Sequence, residues 1–179
     1  DEIKKVCGNL KLNEADTADS ASDNRIVISI YGGSGSGKTT IAAALQQYFL
    51  NDNTACYVLT GDNYPHRIPM RNDEERLNVY NESGEDGLRG YLGTPEEIDF
   101  DRINKELSEF KAGKDIIEIK HMGREDGDIS YDETDFTGIK VLILEWTHGG
   151  SEYLKGVDIP VFLESSPEET KARRIKRGR

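Results

Sequence analysis

The sequence predicts an α/β fold with a mainly parallel sheet and helices on both faces. Runs of apolar, mostly β-branched residues at 25–30, 140–145 and 157–163 have the pattern of strands that are buried on both faces. Segments with helical patterning lie between these runs. Strands that alternate with helices along a chain form a sheet whose neighbouring strands run parallel.

In the first half of the chain, two predicted strands flank an Ala-rich helix. In order, these segments are strand Arg25–Ile30, helix Lys38–Leu50 and strand Ala55–Thr60. Two prolines interrupt residues 61–72, which we predict to be a loop. Residues 73–80 have room for one or two helical turns, and the glycines between 81 and 93 indicate a mobile loop.

The second half opens with a sequence typical of a helix start. Thr94 can cap a helix, Pro95 suits its first position and Glu97 completes a capping box, so we predict a helix from Thr94 to Gly113. The same signature at 166–169 predicts a last helix with a basic end. The remaining predicted segments are strands at 115–120, 140–145 and 157–163, and an acidic loop or exposed hairpin at 124–137.

Length, composition and charge indicate one domain with a polar surface. Residues 25–179 have the size of one domain, and the low-complexity residues 1–24 read as an appendage that is disordered or loosely docked. The formal net charge of −11 disfavours nucleic acid and anionic membranes as partners. No secretory signal, membrane span or disulfide framework is visible, so we expect a cytoplasmic protein. A homo-oligomer is left open.

The strongest chemical signal is the segment Gly-Gly-Ser-Gly-Ser-Gly-Lys-Thr at 32–39, which fits the pattern G-x-x-x-x-G-K-[ST]. Backbone N–H groups can surround a phosphate where side chains are absent, and the following helix points its positive end at the same place. A flexible linker is the alternative, which the flanking strand and helix disfavour. The predicted nucleotide-binding residues are Gly32, Gly33, Ser34, Gly35, Ser36, Gly37, Lys38, Thr39 and Thr40, with the Thr39 hydroxyl on Mg²⁺.

Other residues indicate a kinase that phosphorylates a small molecule. The chain lacks an Asp-x-x-Gly after a strand and an Asn-Lys-x-Asp, which GTPase switches need. A kinase needs a base near the acceptor hydroxyl and a carboxylate for the metal or its waters. Asp62 and Glu145 each follow a predicted strand, at the sheet edge where open α/β sheets bind ligands.

Four segments together resemble the phosphoribulokinase/uridine kinase family of P-loop kinases. They are Gly32–Thr40, Asp62–Arg67, Val141–Glu145 and the stretch from Val157 to Arg177, and the resemblance covers about residues 25–179. It implies a P-loop NTPase fold that uses ATP and Mg²⁺ to phosphorylate a hydroxyl. It also implies Asp62 as catalytic base, with Lys38, Glu145 and Arg174 as further catalytic residues, Thr39 and Glu145 on the metal, and a lid helix with Arg173, Arg174 and Arg177.

The chain departs from the family pattern on the acceptor side. The family's Glu-Gly is Glu145-Trp146 here, and Trp146 either packs or forms a wall of the pocket. The Pro-x-Tyr-Asp and His-x-Arg segments of uridine kinases are missing, and residues 117–124 occupy that region. Our candidates for acceptor binding are Asp62, Tyr64, His66, Arg67, Lys120, His121 and Arg124.

Several alternatives stay open at this point. The acceptor is a nucleoside, a sugar phosphate or a carboxylate metabolite, and GTP is not excluded as the donor. A nucleotide-binding regulator without an acceptor is the alternative from another class. His66, His121 and His148 show no metal-ligand spacing, which disfavours zinc. Related kinases continue past the lid helix, so the resemblance leaves open a continuation beyond Arg179.

Overall fold

A four-stranded parallel sheet forms the centre of the computed structural model, which describes residues 25–176. The predicted appendage, residues 1–24, and Arg177 lie outside the described residues. In chain order the elements are β1 (Ile26–Tyr31), α1 (Lys38–Asn51), β2 (Cys56–Thr60), α2 (Pro69–Tyr91), α3 (Phe100–Lys111), β3 (Ile116–Met122), β4 (Ile129–Asp135), β5 (Val141–Glu145), β6 (Ile159–Phe162) and α4 (Pro167–Lys176).

The strand order in the sheet is β2-β5-β1-β6, and every neighbouring pair is parallel. The chain runs from β1 through α1 to β2, which lies beyond β5, so β5 later inserts between the two first strands. The remaining strands, β3 and β4, pair antiparallel in a separate hairpin. The predicted parallel sheet is confirmed, and the acidic residues 124–137 form an exposed hairpin strand and its turn.

The two faces of the sheet are covered by different helices. On one face, Ile28, Ile30, Val141 and Ile143 pack with residues of α1, among them Phe49. The other face holds the larger cluster, to which α3 contributes buried side chains along its whole length. Those α3 residues are Phe100, Ile103, Leu107 and Phe110. Alternation of neighbouring strand residues between the two clusters places each strand in a single register, because a one-residue shift would exchange its faces.

The predicted mobile loop at 81–93 is wrong, because most of it belongs to α2. This helix runs from Pro69 to Tyr91 and is kinked at Gly84, where φ is 67° and ψ is −162°. Most of its residues are exposed and only Asn72 and Tyr91 are buried, so it lacks the apolar stripe that would have revealed it. Ion pairs along its surface support it instead, including Arg76–Asp73 at 3.1 Å and Arg89–Glu85 at 2.6 Å.

The predicted start of the next helix at Thr94 is also wrong. The helix α3 begins at Phe100, after Asp99, whose side chain accepts a hydrogen bond from Arg102 N. Thr94 instead donates its hydroxyl proton to the Tyr91 carbonyl. Glu97 is 1% exposed, and its carboxylate accepts hydrogen bonds from Asn72, Arg76 and the Gly93 backbone. Tertiary partners thus replace the local capping box. No helix among residues 25–176 combines the length and apolarity needed to cross a membrane.

Two glycines of α2 should respond oppositely to replacement by alanine. Gly84 has a backbone conformation that is almost exclusive to glycine, so we expect Gly84→Ala to lower the free energy of unfolding by about 1–3 kcal/mol. Gly90 is exposed, and a Cβ there meets no atom within 4 Å. Gly90→Ala should therefore raise the free energy of unfolding by about 0.5–1 kcal/mol. Urea unfolding of both variants measures the difference. Equal effects would contradict the kink at Gly84.

Candidate active site

The parallel register aligns the ends of three strands at one edge of the sheet. Glu145, the last residue of β5, pairs with Ile30 of β1 on one side and Thr60 of β2 on the other. The turn that begins at Gly32 and the short 3₁₀ turn Gly61–Asn63 therefore leave the sheet on either side of Glu145. This carboxyl edge is where open α/β sheets bind ligands.

The segment after β1 forms a tight loop that leads into α1. Gly32 has φ +148°, and a Cβ at this position would overlap the carbonyl oxygen of Leu163. Gly37 precedes Lys38, the first residue of α1. The first turn of α1 holds no acidic side chain, so no carboxylate there neutralises the positive end of the helix dipole. A loop of backbone N–H groups at such a helix end is suited to bind phosphate.

Lys38 is buried within this loop. Its ammonium donates hydrogen bonds to the carbonyl oxygens of Gly32 at 3.0 Å and Gly33 at 3.1 Å, and the residue is 8% exposed. The hydroxyl of Ser36 in the same loop is also buried and makes no hydrogen bond to any described residue. Buried polar atoms normally have partners, so an unpaired hydroxyl at this position fits a loop that binds a phosphate group.

A polar cavity of about 220 Å³ lies between the loop and the strand ends. Its lining residues are Ser34, Gly35, Gly37, Lys38, Thr39, Asp62, Glu145 and Thr147. The structure therefore brings one ammonium, two carboxylates and two threonine hydroxyls from three separate segments into one cavity. The combination suits a phosphate donor on the cationic side and a proton acceptor on the acidic side.

The oxygen donors of this cavity fit Mg²⁺. Thr39 supplies a hydroxyl, and Asp62 and Glu145 supply carboxylates. Mg²⁺ typically binds through one or two carboxylates together with substrate phosphates and water. Among the described residues there is no group of three or more His, Cys, Asp or Glu side chains that could hold a metal ion. The donor set therefore suits a metal that is bound together with the nucleotide.

The last helix reaches the phosphate loop through one arginine. The guanidinium of Arg173 in α4 donates hydrogen bonds to the carbonyl oxygens of Gly35 at 3.2 Å and Ser36 at 3.0 Å. Arg173 thus lies beside the cavity, where its charge can act on a bound phosphate. The other two predicted lid residues cannot be placed, because the side chain of Arg174 and all of Arg177 lie outside the described residues.

Two predicted acceptor-binding residues are core residues instead. The ring of Tyr64 is fully buried, and its hydroxyl donates to the carboxylate of Glu106. Burial and the neighbouring Glu106 carboxylate raise the pKa of Tyr64. Lys120 is 2% exposed, and its ammonium binds Pro65 O at 3.0 Å and the Asp99 carboxylate at 3.3 Å. These placements correct the expectation that Tyr64 and Lys120 face a substrate.

The structure places the remaining acceptor candidates at three other positions. His66 donates to the Pro95 carbonyl at 2.9 Å and lines a second, open cavity of about 310 Å³ with Tyr153 and Asp101. Arg67 contacts α2, with its guanidinium 3.4 Å from the Tyr91 hydroxyl and 3.7 Å from Glu75. On the β3–β4 hairpin, His121 lies 3.8 Å from Asp132, and Arg124 is exposed in the turn. None of these four side chains lines the polar cavity between the phosphate loop and the strand ends.

Of the two alternatives given for Trp146, core packing or a wall of the pocket, the structure shows core packing. Trp146 is 2% exposed and packs against Tyr64, Phe100 and His148, with ring centroids 5.4–6.1 Å apart. A side chain at Gly61 would overlap the indole, so the absence of a Cβ there makes room for it. The sequence feature that could have indicated this packing is the departure from the family's Glu-Gly pattern at Glu145-Trp146.

Comparisons with known proteins agree with this geometry. The model of the phosphoribulokinase/uridine kinase family matches residues 27–179. The bifunctional alpha-galactosidase/sucrose kinase AgaSK of Mediterraneibacter gnavus is 69% identical over 175 residues, which are 98% of this chain and 19% of that protein. Uridine-cytidine kinase A of Dictyostelium discoideum is 29% identical over 157 residues, which are 86% of this chain and 28% of that protein. The chain therefore spans less than a third of the length of either relative.

Among solved structures, a candidate fructose transport system kinase of Silicibacter sp. TM1040 has a TM-score of 0.67 to this chain. The two share 17% identity, and the match covers 98% of this chain and 81% of that one. A likeness at this level of identity concerns the fold, and it confirms the predicted P-loop architecture.

The two glycines at the start of the phosphate loop should differ in their tolerance of alanine. A Cβ at Gly32 would overlap a backbone carbonyl, so Gly32→Ala must displace the loop, and we expect the Kd for ATP to rise at least about tenfold. A Cβ at Gly33 meets no atom within 4 Å, so Gly33→Ala should change the Kd by less than about threefold. Isothermal titration calorimetry with ATP measures both. An equal rise of the Kd for ATP in both variants would contradict the expectation that the overlap of a Cβ at Gly32 displaces the loop.

Proposed function

The chain belongs to the phosphoribulokinase/uridine kinase family, and on that premise we propose that it transfers the γ-phosphoryl group of ATP to a hydroxyl of a sugar. The observation that supports this most directly is the convergence of Lys38, Asp62 and Glu145 on one cavity at the carboxyl edge of the sheet. A phosphoryl-transfer enzyme needs a cation for the donor and an acid–base group for the acceptor, and this cavity supplies both.

On the donor side, the loop 32–37 and Lys38 bind the phosphates. Backbone N–H groups and the start of α1 hold the β- and γ-phosphates, and Lys38 neutralises part of their charge. Because its ammonium already lies on the loop carbonyls, a short movement of the Lys38 side chain suffices to reach a phosphate oxygen. Arg173 approaches the same phosphates from α4 and stabilises the charge of the transferred group.

On the acceptor side, Asp62 accepts the proton of the attacking hydroxyl. The hydroxyl oxygen forms a bond to the γ-phosphorus while the bond from that phosphorus to the bridging oxygen breaks. The bridging oxygen leaves with the electron pair as part of ADP, and the hydroxyl proton passes to the Asp62 carboxylate. Asp62 is exposed to the cavity from the 3₁₀ turn after β2, so it can approach a bound acceptor.

Thr39 and Glu145 are the residues that would hold Mg²⁺ or its water ligands. Bound there, the ion neutralises phosphate charge and aligns the donor. The Thr39 hydroxyl at the start of α1 and the Glu145 carboxylate at the end of β5 belong to rigid elements, so their separation is held by the sheet and helix.

A sugar is the acceptor that the similarities favour. The relative at 69% identity is named a sucrose kinase, whereas the relative named a uridine-cytidine kinase is 29% identical. The departure from the uridine kinase pattern at Glu145-Trp146 lies next to the cavity, which Glu145 and Thr147 line. The alternative of a regulator without an acceptor is disfavoured, because Asp62 lines the cavity at the position that a base for an acceptor requires.

A panel of acceptors tests the proposed activity. With ATP and Mg²⁺, we expect sucrose to raise ADP release more than about tenfold above the control without acceptor, and uridine or a pentose phosphate to do much less. Mass spectrometry of the phosphorylated sugar confirms transfer over hydrolysis. A preference for uridine would overturn the sugar proposal but keep the kinase. ATP binding without stimulation by any acceptor would favour the regulator.

Replacement of the proposed base tests the mechanism. Asp62→Asn keeps the shape of the side chain but removes its ability to take a proton, so we expect kcat to fall about 10²–10⁴-fold. The Kd for ATP should stay unchanged, because Asp62 is not part of the phosphate loop. Asp52→Asn, at the exposed end of α1, is the matched control and should keep full activity. Turnover of Asp62→Asn close to the wild-type value would refute Asp62 as base.

A further inference from the structure

His148 is a half-buried histidine in the turn after β5, and it has no role in the chemistry described above. It lies three residues after Glu145, directly after Thr147, which lines the cavity. Its ring packs edge-to-face on Trp146 with centroids 5.4 Å apart. The charges of Asp62 and Lys38 both act on its pKa, so the ring lies within electrostatic range of the proposed base and of the phosphate loop.

One edge of the imidazole is held by the turn that follows α2. A Cβ at Gly93 would lie 2.8 Å from Nδ1 and 2.9 Å from Cε1, so the bare Cα of Gly93 leaves space for this edge of the ring. Gly93 has φ +74°, and its N–H donates to the buried Glu97 carboxylate at 2.6 Å. The Nδ1–Cε1 edge therefore packs against a turn that is itself fixed by a buried carboxylate. Nε2 is the ring nitrogen that does not contact Gly93.

Neither ring nitrogen of His148 makes a hydrogen bond with any residue between 25 and 176. Burial lowers the pKa of His148 below its ordinary value, and the charges of Arg76 and Lys38 act in the same direction, against those of Glu97 and Asp62. The lowered pKa favours the neutral ring, in which one nitrogen donates a hydrogen bond and the other accepts one. A half-buried polar ring without protein partners next to a reaction cavity is suited to a ligand.

We propose that Nε2 of His148 hydrogen-bonds a hydroxyl of the sugar acceptor and helps to select that acceptor. The inference rests on the proposed function and deepens it. A neutral imidazole suits this task, because a sugar hydroxyl can both donate and accept. A charged imidazolium would instead attract the Asp62 carboxylate and compete with the acceptor hydroxyl for it.

Two substitutions distinguish the ring nitrogens. Gln presents a polar atom near the position of Nε2, whereas Asn presents one near Nδ1. We expect His148→Ala and His148→Asn to raise the KM for sucrose about tenfold or more, and His148→Gln to stay within about threefold. The KM for ATP should be unchanged in all three. Glu152→Gln, exposed in the same loop, is the control and should match the wild type. Equal KM values for sucrose in all variants would overturn the proposal.

A binding measurement separates this inference from the proposed function. The chain has 3 histidines, so ¹H–¹⁵N spectra of the imidazoles are simple, and the signal lost in His148→Gln identifies His148. Sucrose added to the ¹⁵N-labelled protein with a non-hydrolysable ATP analogue should shift Nε2 of His148 more than Nδ1. If no sugar is phosphorylated, the proposed function fails, and a shift at Nε2 still supports sugar binding at His148. An unshifted His148 signal overturns the inference whatever the turnover.

Discussion

The parallel pairing of β5 with β1 and β2 is the constraint on which the whole site depends. Glu145 lines the cavity because its strand is paired residue by residue with the strands that lead to the phosphate loop and to Asp62. That register is maintained by burial, since Ile143 and Leu144 are fully buried on opposite faces under different helices. A shift of one residue would exchange the two faces of the strand, so the packing of the core also fixes the positions of the strand ends at the cavity.

The two sides of the cavity are built by different physical means. The donor side consists mainly of backbone groups: a glycine-rich loop, a helix end and a lysine anchored on the loop's own carbonyls. The shape of this side therefore depends on the backbone conformation of the loop more than on its side chains. The acidic side consists of side chains at the ends of β2 and β5. The neighbouring turn after α2 is held by the buried carboxylate of Glu97, which binds Arg76 and the Gly93 backbone.

This difference also explains how far the sequence could predict the structure. The strands and the convergence of Asp62 with the phosphate loop were predictable, because buried runs and strand ends obey rules that need no knowledge of neighbouring segments. The α2 helix was not, since its stability comes from surface ion pairs rather than from an apolar stripe. Thr94 and Glu97 match the sequence pattern of a capping box, but Glu97 instead binds partners that are distant in sequence, Asn72 and Arg76. Tyr64 lies in a motif-like segment, yet the direction of its side chain depends on Glu106, which is distant in sequence.

In the turn after β5, the packing of Trp146 in the core determines the position of the His148 ring, for which we propose an acceptor contact. Trp146 can occupy the core only because Gly61 has no side chain, and His148 can lie beside it only because Gly93 has none. A Gly in place of Trp146, as in the family's usual pattern, would remove an indole that contacts Tyr64 and Phe100 and would leave the His148 ring without its edge-to-face partner. The loss of aromatic packing would therefore coincide with the loss of a defined imidazole position. On the proposal that His148 binds the acceptor, Trp146 both fills the core and positions the ring that makes this contact, so a change of the contact requires repacking of the turn.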